Sequence, residues 1–160
     1  VAHSIGGWIA RAYLGQATEA RRRRCSALVT LGTPHASPPA GVLTTLDQTR
    51  GLLSNVNAAF PGAYHSHVRY LTVGSEAVAG GLRADLDSLL AYASYLPLSG
   101  DGEAKGDGIT PASSSELEGA EHRLLDAFHI DFVPFVGVRL RGTPWYGSPA
   151  LFPAWADFLL

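Results

Sequence analysis

The stretch that decides the fold is residues 1–14, which are Val-Ala-His-Ser-Ile-Gly-Gly-Trp-Ile-Ala-Arg-Ala-Tyr-Leu. Within it, residues 2–6 match the pattern G-x-S-x-G with alanine in place of the first glycine. This pattern requires small residues because the chain turns sharply from a strand into a helix and the serine backbone is strained. A helical periodicity follows and predicts one buried face, formed by Ile5, Trp8, Ile9, Ala12 and Tyr13. The sequence therefore predicts a turn that presents Ser4 between a strand and a helix.

Downstream, apolar segments rich in β-forming residues alternate with helical patterns. Short apolar runs at residues 25–31, 68–73 and 123–128 predict three buried strands. Helical periodicity is present over residues 42–53 and 82–93, residues 54–66 look irregular, and Ser148 followed by proline predicts the start of a last helix. Strands that alternate with helices predict an α/β fold, with parallel strands and flanking helices.

The composition excludes several classes of protein. The chain has 160 residues, of which 46% are hydrophobic and 16% charged, so it is not a disordered, highly charged protein. Its 18 glycines and 10 prolines argue against a coiled coil. The net charge of −2 does not favour nucleic acid as a partner. The sequence has no apolar run long enough to predict a transmembrane segment, and its one cysteine, Cys25, cannot form an intramolecular disulfide.

The start of the chain predicts a fragment. The sequence contains no methionine, begins at Val1 and opens directly on the serine motif. We therefore expect residues 1–160 to be part of a larger domain whose N-terminal strands are missing. An isolated fragment of this kind is expected to be inactive and poorly soluble, because the missing strands would supply an oxyanion donor and cover the sheet edge. No targeting segment is visible, so the localisation stays unassigned.

A serine nucleophile needs a base and an orienting acid, and the chain order Ser, acid, His places both downstream. Asp107 lies between two glycines in a loop, residues 106–111, and is the favoured acid. Asp101 has the same flanking glycines and is the alternative acid, while an ordinary surface turn explains either motif as well. His129 follows the third predicted strand, at the sheet edge that carries sites in open parallel sheets. It is therefore the favoured base.

The other histidines are weaker candidates. His3 is adjacent to Ser4, and we expect packing or hydrogen bonding beside the turn rather than a role as base. His35 follows the first predicted strand and could line the site. His65 and His67 are two ligands without a third, which is weak support for a metal site. No metal is therefore assigned.

These motifs together resemble lipase-like α/β-hydrolases. The resemblance rests on residues 2–8, residues 28–35 (Leu-Val-Thr-Leu-Gly-Thr-Pro-His) and residues 106–111 (Gly-Asp-Gly-Ile-Thr-Pro), with further matches at residues 116–120, 125–129 and 145–148. The chain looks most like plant and algal plastid-type α/β-hydrolases, which are similar to lipases and to GPI inositol-deacylases. The resemblance implies the C-terminal part of an α/β-hydrolase fold, with a cap or lid over residues 36–66.

The resemblance also implies site residues and an activity. Ser4 would be the nucleophile, Asp107 the acid and His129 the base, with the Ile5 backbone N–H in the oxyanion hole and His35 near the site. The implied enzyme is a carboxylic ester hydrolase, an esterase or lipase, that uses no cofactor and acts on a small-molecule or lipid ester. A plastid location is implied by the resemblance alone. The alternatives are a non-catalytic α/β-hydrolase scaffold that binds a ligand or partner, an acyltransferase with the same triad, and a thioesterase or amidase.

Overall fold

The central feature of the chain is a parallel β-sheet, seen in a computed structural model that describes residues 1–39, 51–83, 85–131 and 144–160. Its strands, all parallel, have the order β1 (Ala2–His3), β2 (Ala27–Leu31), β3 (Arg69–Ser75) and β6 (Glu121–Leu125). The register pairs Ala2 with Thr30 and Thr30 with Thr72. The predicted α/β fold with a parallel sheet and flanking helices is confirmed.

Five α-helices are present in the described ranges. They are α1 (Gly6–Gln16), α2 (Glu19–Arg22), α3 (Leu52–Ala59), α4 (Leu86–Ser99) and α5 (Pro153–Ala156). The longest, α4, begins where the Asp85 side chain accepts a hydrogen bond from the Ser88 amide at 2.9 Å, and it ends at Gly100, whose φ is +78°. None of the helices in these ranges is both long and apolar enough to cross a membrane.

A small two-stranded antiparallel sheet lies beside the main sheet. Its strands are β4 (Val78–Ala79) and β5 (Lys105–Gly106), and α4 lies between them in the chain. The chain leaves β5 directly into the loop that contains Asp107. The pairing of β5 with β4 therefore fixes the start of that loop.

Apolar side chains cover both faces of the sheet. One face packs with the C-terminal segment, through Val29, Leu31, Leu71, Val73, Ala127, Tyr146 and Trp155. The other packs against α1, through Leu14, Leu28, Val68, Tyr70 and Leu117. Successive residues of a strand point to opposite faces, so β2 and β3 contribute to both clusters. Full burial of one large apolar side chain contributes about 1.5–3 kcal/mol, which makes these clusters the main stabilisation of the sheet.

The predicted buried face of α1 is wrong in part. Trp8 is buried as expected, but Ile5, Ile9 and Tyr13 are exposed, and the remaining buried positions are Gly7, Arg11 and Leu14. Arg11 can be buried because its guanidinium donates to the Phe60 carbonyl at 2.8 Å and contacts His35 Nδ1 at 3.4 Å. Hydrophobic periodicity considers only apolar residues, so it does not predict the burial of an arginine that is hydrogen-bonded inside the fold.

Other element boundaries also differ from the predictions. Residues 54–59 are helical in α3 rather than irregular, because Asn57 donates to the His35 carbonyl at 2.8 Å and the helix contacts α1. β6 ends at Leu125 rather than at residue 128. The last helix begins at Pro153 rather than beside Ser148, whose hydroxyl accepts a turn hydrogen bond from the Trp145 amide.

Two predictions fall partly on residues that the structure does not describe. The helix predicted over residues 42–53 lies mostly in residues 40–50, outside the described ranges. The cap or lid predicted over residues 36–66 includes the same residues. Of the described part of that region, α3 packs on α1, where a methyl group at Gly15 would meet the ring of Phe60.

Candidate active site

Ser4 lies in the tight turn between β1 and α1, and its backbone φ is +53°. In the four described ranges it is the one non-glycine residue with a positive φ. A left-handed backbone costs such a residue about 1–2 kcal/mol. The Ser4 amide donates to the Leu31 carbonyl at 3.0 Å, and the Thr33 hydroxyl donates to the Ser4 carbonyl at 2.7 Å. These bonds hold Ser4 in a conformation that it would not adopt alone.

The helix after Ser4 lies very close to the loop that follows β2. A methyl group at Gly7 would lie 2.5 Å from the Thr33 side chain, so the position accepts only glycine without a shift. The indole of Trp8 donates to the Pro34 carbonyl. Ile5 is the N-cap of α1, where backbone amides have no acceptor within the helix. Its N–H is therefore available to an anion that forms beside Ser4.

The carboxylate of Asp107 is buried, with 1% of its surface exposed, and accepts four hydrogen bonds. Oδ1 accepts from the amides of Ile109 at 3.0 Å and Thr110 at 2.7 Å. Oδ2 accepts from His129 Nδ1 at 2.8 Å and from the Tyr146 hydroxyl at 2.9 Å. Four donors satisfy both oxygens, which is what a buried carboxylate requires.

Asp101, the alternative acid, has a different environment. It is exposed, lies just after α4, and its Oδ1 accepts from the Glu103 amide at 2.9 Å. That contact is the ordinary aspartate turn that explains such motifs. The structure brings Asp107, and not Asp101, against a histidine.

His129 lies four residues beyond the end of β6 and is 4% exposed. Besides the side-chain bond to Asp107, its amide donates to the Asp107 carbonyl at 2.8 Å. A carboxylate only accepts hydrogen bonds, so the Nδ1 atom of His129 carries the proton. Nε2 is then the nitrogen that carries no proton when the ring is neutral.

Gly32 provides the space in which the hydrogen-bonded pair Asp107–His129 lies. Its φ is +55°, and a methyl group there would be 2.6 Å from Asp107 Oδ2 and 2.9 Å from His129 Nδ1. Its carbonyl accepts from the Thr110 hydroxyl at 2.9 Å, which ties the Asp107 loop to the end of β2. Gly32 follows Leu31, the residue that binds the Ser4 amide. The Ser4 turn and the Asp107–His129 pair therefore meet at the same end of β2.

His3 contacts His129 directly. Its Nε2 donates to the His129 carbonyl at 2.9 Å, and the two ring centroids are 4.6 Å apart. Burial lowers the pKa of His3, and the neighbouring His129 lowers it further. A neutral His3 that holds the His129 backbone agrees with the predicted role in hydrogen bonding beside the turn.

His35, predicted near the site, lies on the face of the sheet that packs against α1. It is 2% exposed, its Nε2 bonds the Thr30 hydroxyl at 2.9 Å, and its Nδ1 faces Arg11. Burial, and then the charge of Arg11, lower the pKa of His35 to about 3. Its contacts are those of a neutral core residue.

Residues that sequence reasoning missed surround Asp107. Tyr146 is fully buried and bonds Oδ2. The hydroxyl of Tyr95, also fully buried, accepts from the Gly108 amide at 2.7 Å and donates to the Val78 carbonyl at 3.1 Å. The only sequence signal for Tyr146 was its place in the segment at residues 145–148, which resembled the family without indicating a contact.

The histidine pair at positions 65 and 67 has no third ligand nearby. Within the described ranges, no group of three or more His, Cys, Asp or Glu side chains could hold a metal ion. His65 is buried and its Nδ1 faces the Arg22 guanidinium at 3.2 Å. A cation beside the ring nitrogen disfavours a metal ligand there.

Comparison with known families agrees with the fold. The model of a family described as PGAP1-like alpha/beta domain matches residues 1–92, more than half of the chain. The matched part contains Ser4 and the strands β1, β2 and β3, whereas Asp107 and His129 lie beyond it. A comparison with curated proteins gave no match.

Proposed function

This chain belongs to the PGAP1-like alpha/beta family, an alpha/beta hydrolase-like family, and we propose that it is a serine hydrolase acting on carboxylic esters. Ser4 is the nucleophile, His129 the general base and Asp107 the residue that orients the base. The acyl group is transferred to Ser4 and then to water. No step in this scheme needs a metal or an organic cofactor.

One observation carries the proposal: a strained serine and a buried Asp–His pair meet at one edge of a parallel sheet. Ser4 has a φ of +53° between a strand and a helix. The Asp107–His129 bond is 2.8 Å long, and His3, next to Ser4, donates to the His129 carbonyl. A strained serine turn beside such a pair is the arrangement that activates a serine hydroxyl.

The acylation step follows from the protonation states of these groups. His129 Nε2 takes the proton of the Ser4 hydroxyl as Oγ attacks the ester carbonyl. Asp107 keeps the proton on Nδ1 and stabilises the imidazolium that forms. His129 then gives the proton to the leaving alcohol, which departs as the acyl-enzyme forms.

The negative charge of the tetrahedral intermediate needs donors in a fixed place. The Ile5 amide, at the N-terminus of α1, is one donor to this oxyanion. In the second half-reaction His129 removes a proton from the water that attacks the acyl-enzyme. His129 then returns this proton to Ser4 Oγ as the bond to the acyl group breaks, which releases the acid and restores the Ser4 hydroxyl.

The surroundings of Ser4 favour an apolar acyl group. Ile5 follows the nucleophile and its side chain is exposed, and the Trp145 ring lies 6.0 Å from that of His3. Apolar side chains with a few placed polar groups are typical of small-molecule sites. A lipid-like ester is therefore the proposed substrate class, in line with the resemblance to lipases.

A fluorophosphonate probe tests the proposal on the full-length protein, because it reacts only with an activated serine. We expect covalent labelling of the parent, complete loss in Ser4→Ala, and loss of ester hydrolysis by roughly 10⁶-fold. Ser66→Ala, at an exposed serine, is the matched control and should label as the parent does. A folded parent that does not label, or equal labelling of Ser4→Ala, would mean that the chain is a scaffold rather than this enzyme.

A further inference from the structure

A buried tyrosine hydroxyl shares the carboxylate oxygen that binds the proposed base. Tyr146 Oη donates to Asp107 Oδ2 at 2.9 Å, and His129 Nδ1 donates to the same atom at 2.8 Å. The carboxylate cannot donate, so both partners give a proton to one oxygen. The other oxygen, Oδ1, is occupied by backbone amides alone.

The position of Tyr146 is fixed by contacts outside the site. Its carbonyl accepts from the Trp155 indole at 2.9 Å, and its ring belongs to the apolar cluster on that face of the sheet. A methyl group at Gly32 would lie 2.8 Å from Tyr146 Cε2, so the ring fills the space beside the acid–base pair. The hydroxyl therefore has little freedom to turn away from Asp107.

Tyr146 remains a donor at all working pH values. Burial raises its pKa well above the usual range, and the negative charge of Asp107 raises it further. A buried hydroxyl also loses free energy when it has no partner. The hydrogen bond from Tyr146 to Asp107 Oδ2 thus persists whether the imidazole of His129 is neutral or protonated.

We propose that Tyr146 is a positioning residue whose hydroxyl draws charge from Asp107 Oδ2 and fixes that oxygen for His129. This inference rests on the proposed function. Two donors divide the charge of one oxygen, so Asp107 orients the ring of His129 without holding the imidazolium too strongly. A base that must return its proton to the leaving alcohol needs that balance.

Tyr146→Phe in the full-length protein tests the inference through the pH dependence of ester hydrolysis, with p-nitrophenyl butyrate as substrate. Without the hydroxyl, more charge stays on Oδ2 and stabilises the protonated ring of His129. We expect the acid limb of the kcat/KM profile to move up by about 0.5–1 pH unit, because only part of the charge released on the carboxylate reaches the base. We also expect kcat at the optimum to fall about tenfold, with KM little changed.

Tyr70→Phe is the matched control because it removes a buried hydroxyl on the opposite face. Tyr70 is buried and its hydroxyl interacts with the His65 backbone. The control should keep the parent pH profile even if its thermal stability falls. A second variant carries 3-fluorotyrosine at position 146, which is a stronger donor of the same shape, and it should move the acid limb down.

The outcomes separate this inference from the proposed function. Ser4-dependent labelling with an acid limb that stays fixed in both position-146 variants overturns the positioning role alone. Absence of Ser4-dependent labelling in the parent overturns both. Opposite movements of the acid limb in Tyr146→Phe and the fluorotyrosine variant support the inference, because a purely structural residue would not produce them.

Discussion

Two buried histidines, one on each side of the sheet, carry the ring proton on different nitrogens, because the charged groups beside them differ in sign. His35 is 2% exposed and its Nδ1 faces the guanidinium of Arg11 at 3.4 Å. His129 is 4% exposed and its Nδ1 faces the carboxylate of Asp107 at 2.8 Å. Burial is nearly equal, so burial does not decide the role of either ring.

The sign of the neighbouring charge fixes the tautomer. A guanidinium only donates, so the His35 Nδ1 accepts and its Nε2–H donates to the Thr30 hydroxyl. A carboxylate only accepts, so His129 carries its proton on Nδ1 and keeps Nε2 unprotonated. Both nitrogens of His35 are thus engaged within the core, whereas His129 retains one unprotonated nitrogen, which in the proposed mechanism takes the proton of Ser4.

Among the changes that test this difference between the two histidines, removal of the negative charge beside His129 should have the largest effect on the rate of ester hydrolysis. In Asp107→Asn the amide can donate to Nδ1, so the ring can adopt the other tautomer and lose its basic Nε2. We expect kcat for ester hydrolysis to fall by about 10⁴-fold, the loss typical of this change in a serine triad. Asp101→Asn, at the exposed alternative acid, should leave kcat unchanged. A loss of less than tenfold in Asp107→Asn would remove Asp107 from the mechanism.

A smaller effect is expected when the space for the acid–base pair is filled. Gly32→Ala introduces a methyl group within 2.9 Å of both members of the pair at a φ of +55°. Displacement of catalytic groups by about 1 Å can cost about 10²-fold in rate, and overpacking costs about 1–3 kcal/mol of stability. Kinetics and thermal unfolding of Gly32→Ala measure the two losses.

The control for Gly32→Ala is a glycine with a similar backbone and more space. Gly119 has a φ of +78°, and its added methyl group would be 3.4 Å from its nearest neighbour. Gly119→Ala should lose some stability because of the backbone conformation but should keep the parent rate. Equal rates in the two variants would show that the close approach at Gly32 is not needed for catalysis.

The smallest effect is a change in the free energy of unfolding rather than in rate, and it depends on His35 alone of the two histidines. Its pKa is lowered to about 3 in the folded chain, against about 6.5 when unfolded. As the pH falls from 6.5 to 3, the unfolded chain binds this proton and the folded chain does not, so the free energy of unfolding decreases. Between pH 7 and pH 5 the loss from His35 is about 2 kcal/mol.

Chemical denaturation at several pH values measures this loss. The parent should lose stability steeply between pH 7 and pH 5, and His3, His65 and His122, whose pKa values are also lowered, add in the same direction. His35→Gln should have a flatter dependence than the parent. An equally steep loss in His35→Gln would show that His35 is protonated in the folded chain.

Local chemistry in the sequence was enough to select the residues proposed for the centre of the candidate site. Small residues around Ser4 and glycines around Asp107 report the backbone conformations that a turn needs, and such signals lie within a few residues. The order of strands and helices followed from periodicity in the same way. The structure accordingly has Ser4 at a strained turn and Asp107 bonded to His129.

The features of the fold and of the candidate site that the sequence did not predict depend on contacts between distant parts of the chain. Tyr146 reaches Asp107 across 39 positions, and Arg11 meets His35 across 24, so no local pattern reports either contact. The buried face of α1 was misassigned for this reason, because hydrophobicity alone predicted Ile5, Ile9 and Tyr13 inside. A polar side chain can be buried where it has a hydrogen-bond partner, and a partner that is distant in the sequence can be identified only from the three-dimensional structure.

The most direct test of the contrast is the protonation of the two rings, observed by ¹⁵N–¹H correlation of the imidazole nitrogens at about pH 8, where a histidine with an ordinary pKa is neutral. His35→Gln and His129→Gln assign the signals. Our account predicts a proton on Nδ1 of His129 and on Nε2 of His35. Contradiction would come from a proton on Nε2 of His129, or from the same tautomer at both positions, because the neighbouring charges would then not set the chemistry of these rings.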